Sequence, residues 1–199
     1  MSDNSSFDSE AASDEDSKEE EDTKSLTEKN KNKYNSAPIE IEIIPNMDLI
    51  NAISRTLSTI LNKNKSLKNY REIIKKQNMM CFSAHSIPNI SIKDYLIRIQ
   101  NYSQLEKSTL ILSLILIDRM CKKSNIVLTI YNIHRILFSS VLISIKFNEA
   151  SYYDNPFYAQ IAGIKPEELK FLEYKFLELN DFNVFTTDCD FELYEKYLS

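Results

Sequence analysis

Residues 110–149 read LILSLILIDRMCKKSNIVLTIYNIHRILFSSVLISIKFNE. Two nearly all-apolar segments stand one after the other, joined by a short polar link. A helix that is apolar on most of its faces has to be enclosed by other helices, so this stretch is expected to form the heart of a helical bundle. Ile130, Ile133, Ile136, Leu137, Phe138, Val141, Leu142, Ile143 and Ile145 leave the second segment almost no polar surface. Its Ser139, Ser140 and Ser144 are small and would let neighbouring helices approach closely. Asp118 and Arg119 close the first segment, Lys146 and Glu149 the second. A charge placed where a buried helix emerges is either structural or part of an interface.

Working outward, Ser91 followed three residues on by Asp94 resembles a capping signal, and Ile92, Tyr95, Leu96 and Ile99 make an apolar stripe. This predicts a first bundle helix over about 91–102. A second is predicted over 106–122, where Lys122 and Lys123 suit the negative C-terminal end. Thr129 is a fair N-cap for the third and central helix, about 130–147. Asn155-Pro156 opens a short fourth ending near Gly163. Pro166, Glu167 and Glu168 open a fifth, with proline in the first turn and acids at the positive end; its apolar face is Leu169, Leu172, Phe176 and Leu179. A final short helix is expected at 188–198. Upstream, Leu49, Ile50, Ile53, Leu57, Ile60 and Leu61 give helical spacing over 47–76, as one or two helices with a break in the polar 62–69. Residues 78–88 are a non-helical connector carrying Phe82 and His85.

Composition narrows the function. The chain of 199 residues has a single glycine, Gly163, so neither the dinucleotide-binding nor the P-loop glycine pattern can be written. Cys81, Cys121 and Cys189 are far apart and include no C-x-x-C pair, which indicates neither a zinc knuckle nor a disulfide framework. His85 and His134 have no partner at ligand spacing, and His134 reads as a core or boundary residue. No metal, cofactor or small-molecule substrate is expected, and no cluster of His, Asp, Glu or Cys suggests a catalytic site. The acidic, polar N-terminus does not look like a signal peptide. The longest apolar run is far below the ~20 residues that span a bilayer, so a soluble intracellular protein of the cytoplasm and/or nucleus is expected, with no membrane partner. Residues 1–22 carry ten acids against Lys18 alone, a charge of −9 within a net −5. The remainder is mildly positive without a dense basic stripe, which does not favour nucleic-acid binding. Residues 1–38 have almost nothing to bury and read as a disordered acidic tail, either a regulatory segment in which Ser9, Ser13 and Ser17 lie beside acids or a plain solvated extension. An extended piece, IEIEIIPN, follows at 39–46.

The residues PNISIKDYLIRIQNYS (88–103), LILIDRM (114–120), LTIYNIHRILFSSVLISIKFNEASYYDNPFYAQIAGI (128–164) and LKFLEYKFLELNDFNV (169–184) resemble the cyclin box, and more closely that of the P/U-type cyclins. YYDNPFYAQIAGI is the most specific block. The resemblance covers about 80–185 and, more weakly, 47–76. It implies an all-α fold: a five-helix cyclin box around a central apolar helix, spanning 81–199 with its short C-terminal helix, and preceded by a helical extension at 39–80. It also implies a regulatory subunit without an active site, which forms a heterodimer with a cyclin-dependent protein kinase. Such a subunit packs on the kinase's mobile helix and activation segment and so selects the working conformer. As a group these cyclins serve nutrient signalling, division and morphogenesis. An adaptor of the same fold for a non-kinase protein is the alternative.

Carried over residue by residue, the family's kinase-binding lysine falls on Lys146 and its glutamate partner on Glu173. Phe147, Phe182 and Val184 fall on apolar positions that pack against the kinase. Without the resemblance, Lys146 and Glu173 would read as a surface ion pair worth about 0–1 kcal/mol, and Phe147 and Phe182 as core. Many cyclins pair the aspartate matching Asp118 with an arginine whose place is taken here by Asn89. Asp118 is therefore read as structural, with either Arg98 or a local cap as its partner. The peptide-docking patch of some cyclins depends on a tryptophan where this chain has Tyr95, which puts recruitment by that route in doubt.

Overall fold

The computed structural model describes residues 47–77 and 81–198, and all regular structure among them is helical. The expected acidic tail (1–38) and extended piece (39–46) lie outside the described residues, as do positions 78–80 of the connector. The helices are α1 (Met47–Lys65), α2 (Tyr70–Gln77), α3 (Ile92–Ser103), α4 (Lys107–Ser124), α5 (Ile133–Asn148), α6 (Asn155–Ala162), α7 (Pro166–Leu179) and α8 (Asp188–Leu198).

The central helix is α5. Ile136, Leu137, Val141 and Leu142 have no accessible surface, and neither do Ser139, Ser140 and Ser144. Helices α4, α6 and α7 pack around it, and α3 reaches it through Tyr95, whose ring lies 5.2 Å from that of His134 and 6.1 Å from that of Phe138. The serines do what their size suggests: Ser140 Oγ donates to the Ser113 carbonyl of α4 at 2.6 Å, a separation only two small side chains allow. Helix α1 buries Leu49, Ile50, Ile53 and Leu57 against α3 and α8, so it shares the core of the bundle. The break after α1 falls at residues 66–69, at the end of the polar stretch.

Local chemistry sets the boundaries. The Asp94 backbone N–H donates to Ser91 Oγ (3.0 Å), which in turn donates to Asp94 Oδ2 (2.6 Å), a hydroxyl cap fixed by the acid three residues on. The chain's one glycine ends α6 in the left-handed region at φ +73°, where a Cβ would be strained. Helix α5 begins later than Thr129 suggests. The Asn132 side chain folds back so that its Oδ1 accepts from the Thr129 N–H at 2.8 Å, and its backbone carbonyl takes the first helical bond, from Ile136 at 3.0 Å. A turn over 129–132 thus replaces the expected first turn, with Asn132 as N-cap.

The connector is non-helical from 81 to 91 and is strapped down at several points. Phe82 is buried edge-on to Phe176, the ring centroids 6.4 Å apart. Ala84 donates its N–H to the Tyr131 carbonyl at 2.8 Å. Arg135 donates to the carbonyls of Cys81 and Ser83 while pairing with Glu168 at 2.5 Å. No helix among the described residues is long and apolar enough to cross a membrane.

Candidate functional site

The last turn of α5, Ile145-Lys146-Phe147-Asn148, and the Glu149 that follows send four side chains to three different jobs. Lys146 Nζ donates to Glu173 Oε1 of α7 at 2.6 Å and to Asn155 Oδ1 of α6 at 2.7 Å. Asn155 Nδ2 donates to the other carboxylate oxygen, Glu173 Oε2, at 3.1 Å. Three helices are thereby closed into one hydrogen-bonded ring. The lysine and glutamate side chains are 27% and 15% exposed, so the intramolecular ion pair is present and is partly buried rather than fully solvated. Glu173 also lies in the middle of α7. Lysine carries three donors; two are used within the described residues, and about a quarter of the side chain stays open.

Asn155 is the member that the sequence did not single out. Its Asn-Pro pair read as a helix start, yet the capping is done one residue earlier, where Asp154 Oδ1 accepts the Phe157 N–H at 3.1 Å. That leaves the Asn155 amide at the first helical position, free to face Lys146.

Asn148 and Glu149 turn the other way and cap α4. Helix α4 has no side-chain cap of its own. Glu149 Oε1 instead accepts from the Glu106 N–H (3.1 Å) and from Thr109 Oγ1 (2.5 Å), while Asn148 Nδ2 donates to Ser108 Oγ (2.9 Å) and Thr109 Oγ1 (2.8 Å). A carboxylate at a helix N-terminus satisfies an orphan donor and meets the positive end of the dipole. Glu149→Ala is expected to lower stability by about 1–2 kcal/mol, and Glu149→Gln by roughly half that, since the amide keeps an acceptor but loses the charge. Urea unfolding midpoints of the two variants check this.

Aromatic side chains stand next to the ring of helices. Phe147 follows Lys146, Tyr174 follows Glu173, and Phe171 lies one turn back on α7; all three stay about half exposed. The Tyr174 ring meets that of Phe182 edge-on at 5.9 Å, and Phe182 is itself 57% exposed. The reading of Phe147 and Phe182 as core, which holds without the resemblance, is therefore corrected: both residues are more than half exposed. Val184 is partly buried and packs on the core.

Phe182 is held out by an unusual helix end. Its N–H closes on the Leu177 carbonyl at 2.8 Å, and both Asp181 (φ +53°) and Phe182 (φ +54°) adopt the left-handed conformation. Side chains at such angles are disfavoured by about 1–2 kcal/mol each, and this strain is retained at a half-exposed aromatic. Phe182→Gly is expected to be about 1 kcal/mol more stable than Phe182→Ala, because both lose the same ring but only glycine relieves the backbone. Paired thermal melts decide it.

Asp118 and its neighbours bind the C-terminal segment. Tyr194 of α8 donates its hydroxyl to Asp118 Oδ2 at 2.6 Å, and Lys122 Nζ lies 2.6 Å from the same oxygen. Burial, then the Asp118 carboxylate, raises the Tyr194 pKa well above its ordinary value. Arg98 is not the partner of Asp118; it donates to the Gln160 carbonyl at 2.9 Å. Tyr95, at the place of the docking tryptophan, is buried. His134 Nε2 sits 3.0 Å from the Ile90 carbonyl, and burial lowers its pKa, against the opposing pull of that bond. Both are packing residues.

The described residues form a helical bundle wrapped around one apolar helix, with a Lys–Asn–Glu ring at that helix's end and half-exposed aromatic side chains beside it. The chain belongs to the cyclin family: the family model described as Cyclin matches residues 5–184. Its relatives place it among the P/U-type cyclins. It is 36% identical over 137 residues to Cyclin-U4-2 of Arabidopsis thaliana, covering 68% of this chain and 62% of that one. It is 32% identical over 141 residues to Cyclin-P3-1 of Oryza sativa subsp. japonica, covering 71% and 58%. It is 31% identical over 183 residues to the PHO85 cyclin-like protein psl1 of Schizosaccharomyces pombe, covering 87% and 75%. The chain thus spans about three-fifths of the two plant relatives. The cyclin family is a regulatory one.

Proposed function

We propose that this chain is the regulatory subunit of a cyclin-dependent protein kinase, which it binds as a heterodimer and activates in the cytoplasm or nucleus. The observation that carries the reading is the ring of Lys146, Asn155 and Glu173. The carboxylate and amide hold the ammonium in one direction and leave it a donor for carbonyls at the end of a partner helix. The half-exposed Phe147, Phe171, Tyr174 and Phe182 supply the aromatic anchors that such an interface needs at its centre. Val184 adds apolar contact at the edge. The PHO85 cyclin-like name of the fission yeast relative supports the same class of partner.

Activation on this reading is a population shift. A kinase whose mobile helix and activation segment sample working and idle positions is drawn to the working one by whatever binds it better. The cyclin supplies that differential binding, and the chemistry stays in the kinase's own Lys–Glu pair, magnesium ions and catalytic loop.

The test is capture of the tagged chain from its own lysate at moderate salt, identification of stoichiometric partners by mass, and assay of peptide phosphorylation by the purified partner with and without the chain. One co-purifying protein kinase whose rate rises at least tenfold on addition of the chain is expected. A stable non-kinase partner in its place would move the function to that of an adaptor.

A further inference from the structure

We infer that Arg119 is a positioning residue for the Phe182–Val184 edge of the binding face; the inference rests on the kinase-binding reading above. Arg119 is in α4. Its guanidinium donates through Nη1 to the Asn183 carbonyl and through Nη2 to the Phe185 carbonyl, both at 2.9 Å. Those two carbonyls flank Val184. One turn further along α4, Lys123 pairs with Asp181, the residue before Phe182.

The segment 183–187 has no regular secondary structure and its other backbone bonds are local: Asn183 N–H to the Asn180 carbonyl, and Phe185 N–H to its neighbour Asn183 Oδ1. The Phe191 N–H of the following helix α8 donates to the Thr187 carbonyl at the other end of the stretch. Apart from these bonds to neighbours in sequence, the hydrogen bonds to its backbone among the described residues are the two from Arg119. The Asp181–Phe182 pair upstream is in a strained left-handed conformation that surrounding contacts must hold in place. The Phe185 N–H bond to Asn183 Oδ1 closes a local turn at Val184, of the kind an asparagine side chain makes with the backbone two residues on. A planar fork that grips the carbonyls of residues 183 and 185 restrains the chain on both sides of Val184. Lysine has three donors on one compact ammonium but no planar fork, so it would hold the two carbonyls with less control of direction. On this assignment Arg119 acts through the backbone it holds and sets where Phe182 and Val184 stand when the partner arrives.

The experiment is a double-mutant cycle on affinity for the protein kinase that the tagged chain retains, purified and identified by mass. The variants are Arg119→Lys, Phe182→Ala/Val184→Ala, and the three changes combined, with Lys146→Ala alongside and amide hydrogen exchange on each. Arg119→Lys is expected to weaken binding about tenfold, and to speed exchange at 183–187 while α4 and α5 stay protected. It is expected to add less than twofold once Phe182 and Val184 are gone, because coupled residues are non-additive. Wild-type affinity for Arg119→Lys, or an equal loss on both backgrounds, overturns the assignment while Lys146→Ala still reports the face. If Lys146→Ala also binds as wild type, or no kinase is retained, the reading of the face fails and the role of Arg119 fails with it.

Discussion

Lys146→Ala is expected to weaken kinase binding by at least about 30-fold, the scale of a hot-spot truncation of some 2 kcal/mol. The substitution removes the one cation of the ring and leaves the Glu173 carboxylate, only 15% exposed, facing the partner with Asn155 alone to satisfy it. A charge that lost its solvation in exchange for a partner is costly once that partner is gone. The fold should feel this too, by about 1–2 kcal/mol, or a melting temperature lower by roughly 3–6 °C for a chain of this size. Glu173→Gln separates the two effects. The amide keeps an acceptor for Lys146, which Asn155 also holds at 2.7 Å, so the ammonium stays aimed and binding should fall only about three- to fivefold. The ordering Lys146→Ala well below Glu173→Gln, with both variants folded by circular dichroism, is what a directed donor predicts. Equal, wild-type affinity in both would remove the ring from the interface.

The parts of this molecule legible in its sequence are those set by short-range chemistry. The hydroxyl cap at Ser91, the proline starts of α6 and α7 and the glycine stop at Gly163 each depend on residues within one turn, and each stands in the structure where the sequence puts it. The central apolar helix was equally plain, since a segment with so little polar surface has one place to go. What could not be read locally are pairings that the tertiary fold creates. Tyr194 reaches Asp118 across 76 positions, and Arg119 reaches Asn183 across 64; nothing in the spacing of either sequence segment signals the other. Asn155 was hidden for another reason. An asparagine before a proline has a sufficient local explanation as a helix start, and that explanation masked a side chain aimed at Lys146. The three-residue delay of α5 has the same origin. Thr129 has a good capping side chain, but Asn132 closes a turn back on Thr129 itself, and a closed turn competes with the first helical bonds.

The largest loss of stability is expected from filling the contact between the two apolar helices. Ser140 has no accessible surface and its hydroxyl lies 2.6 Å from the Ser113 carbonyl, so the backbones of α4 and α5 are about as close there as side chains permit. Ser140→Leu would put a branched aliphatic group into that gap. Overpacking a tight core typically costs about 1–3 kcal/mol and sometimes more; here the strain falls on the helix that α4, α6 and α7 pack around, so a loss of at least about 3 kcal/mol is expected. With total stability of domains near 5–15 kcal/mol, that lowers the melting temperature by roughly 10 °C. Ser140→Ala isolates the hydrogen bond from the volume and should cost about 1 kcal/mol. Ser144, one turn on and equally buried, differs in one respect: its hydroxyl has no partner among the described residues. Ser144→Ala removes an unpaired buried polar group and improves helix propensity, so it is expected to stabilise by about 0.5–1 kcal/mol. Thermal melts of the three variants together give opposite signs at two serines four residues apart on one helix. A stable Ser140→Leu would mean that α4 and α5 do not meet through their small residues, and the arrangement of the bundle around α5 would have to be redrawn.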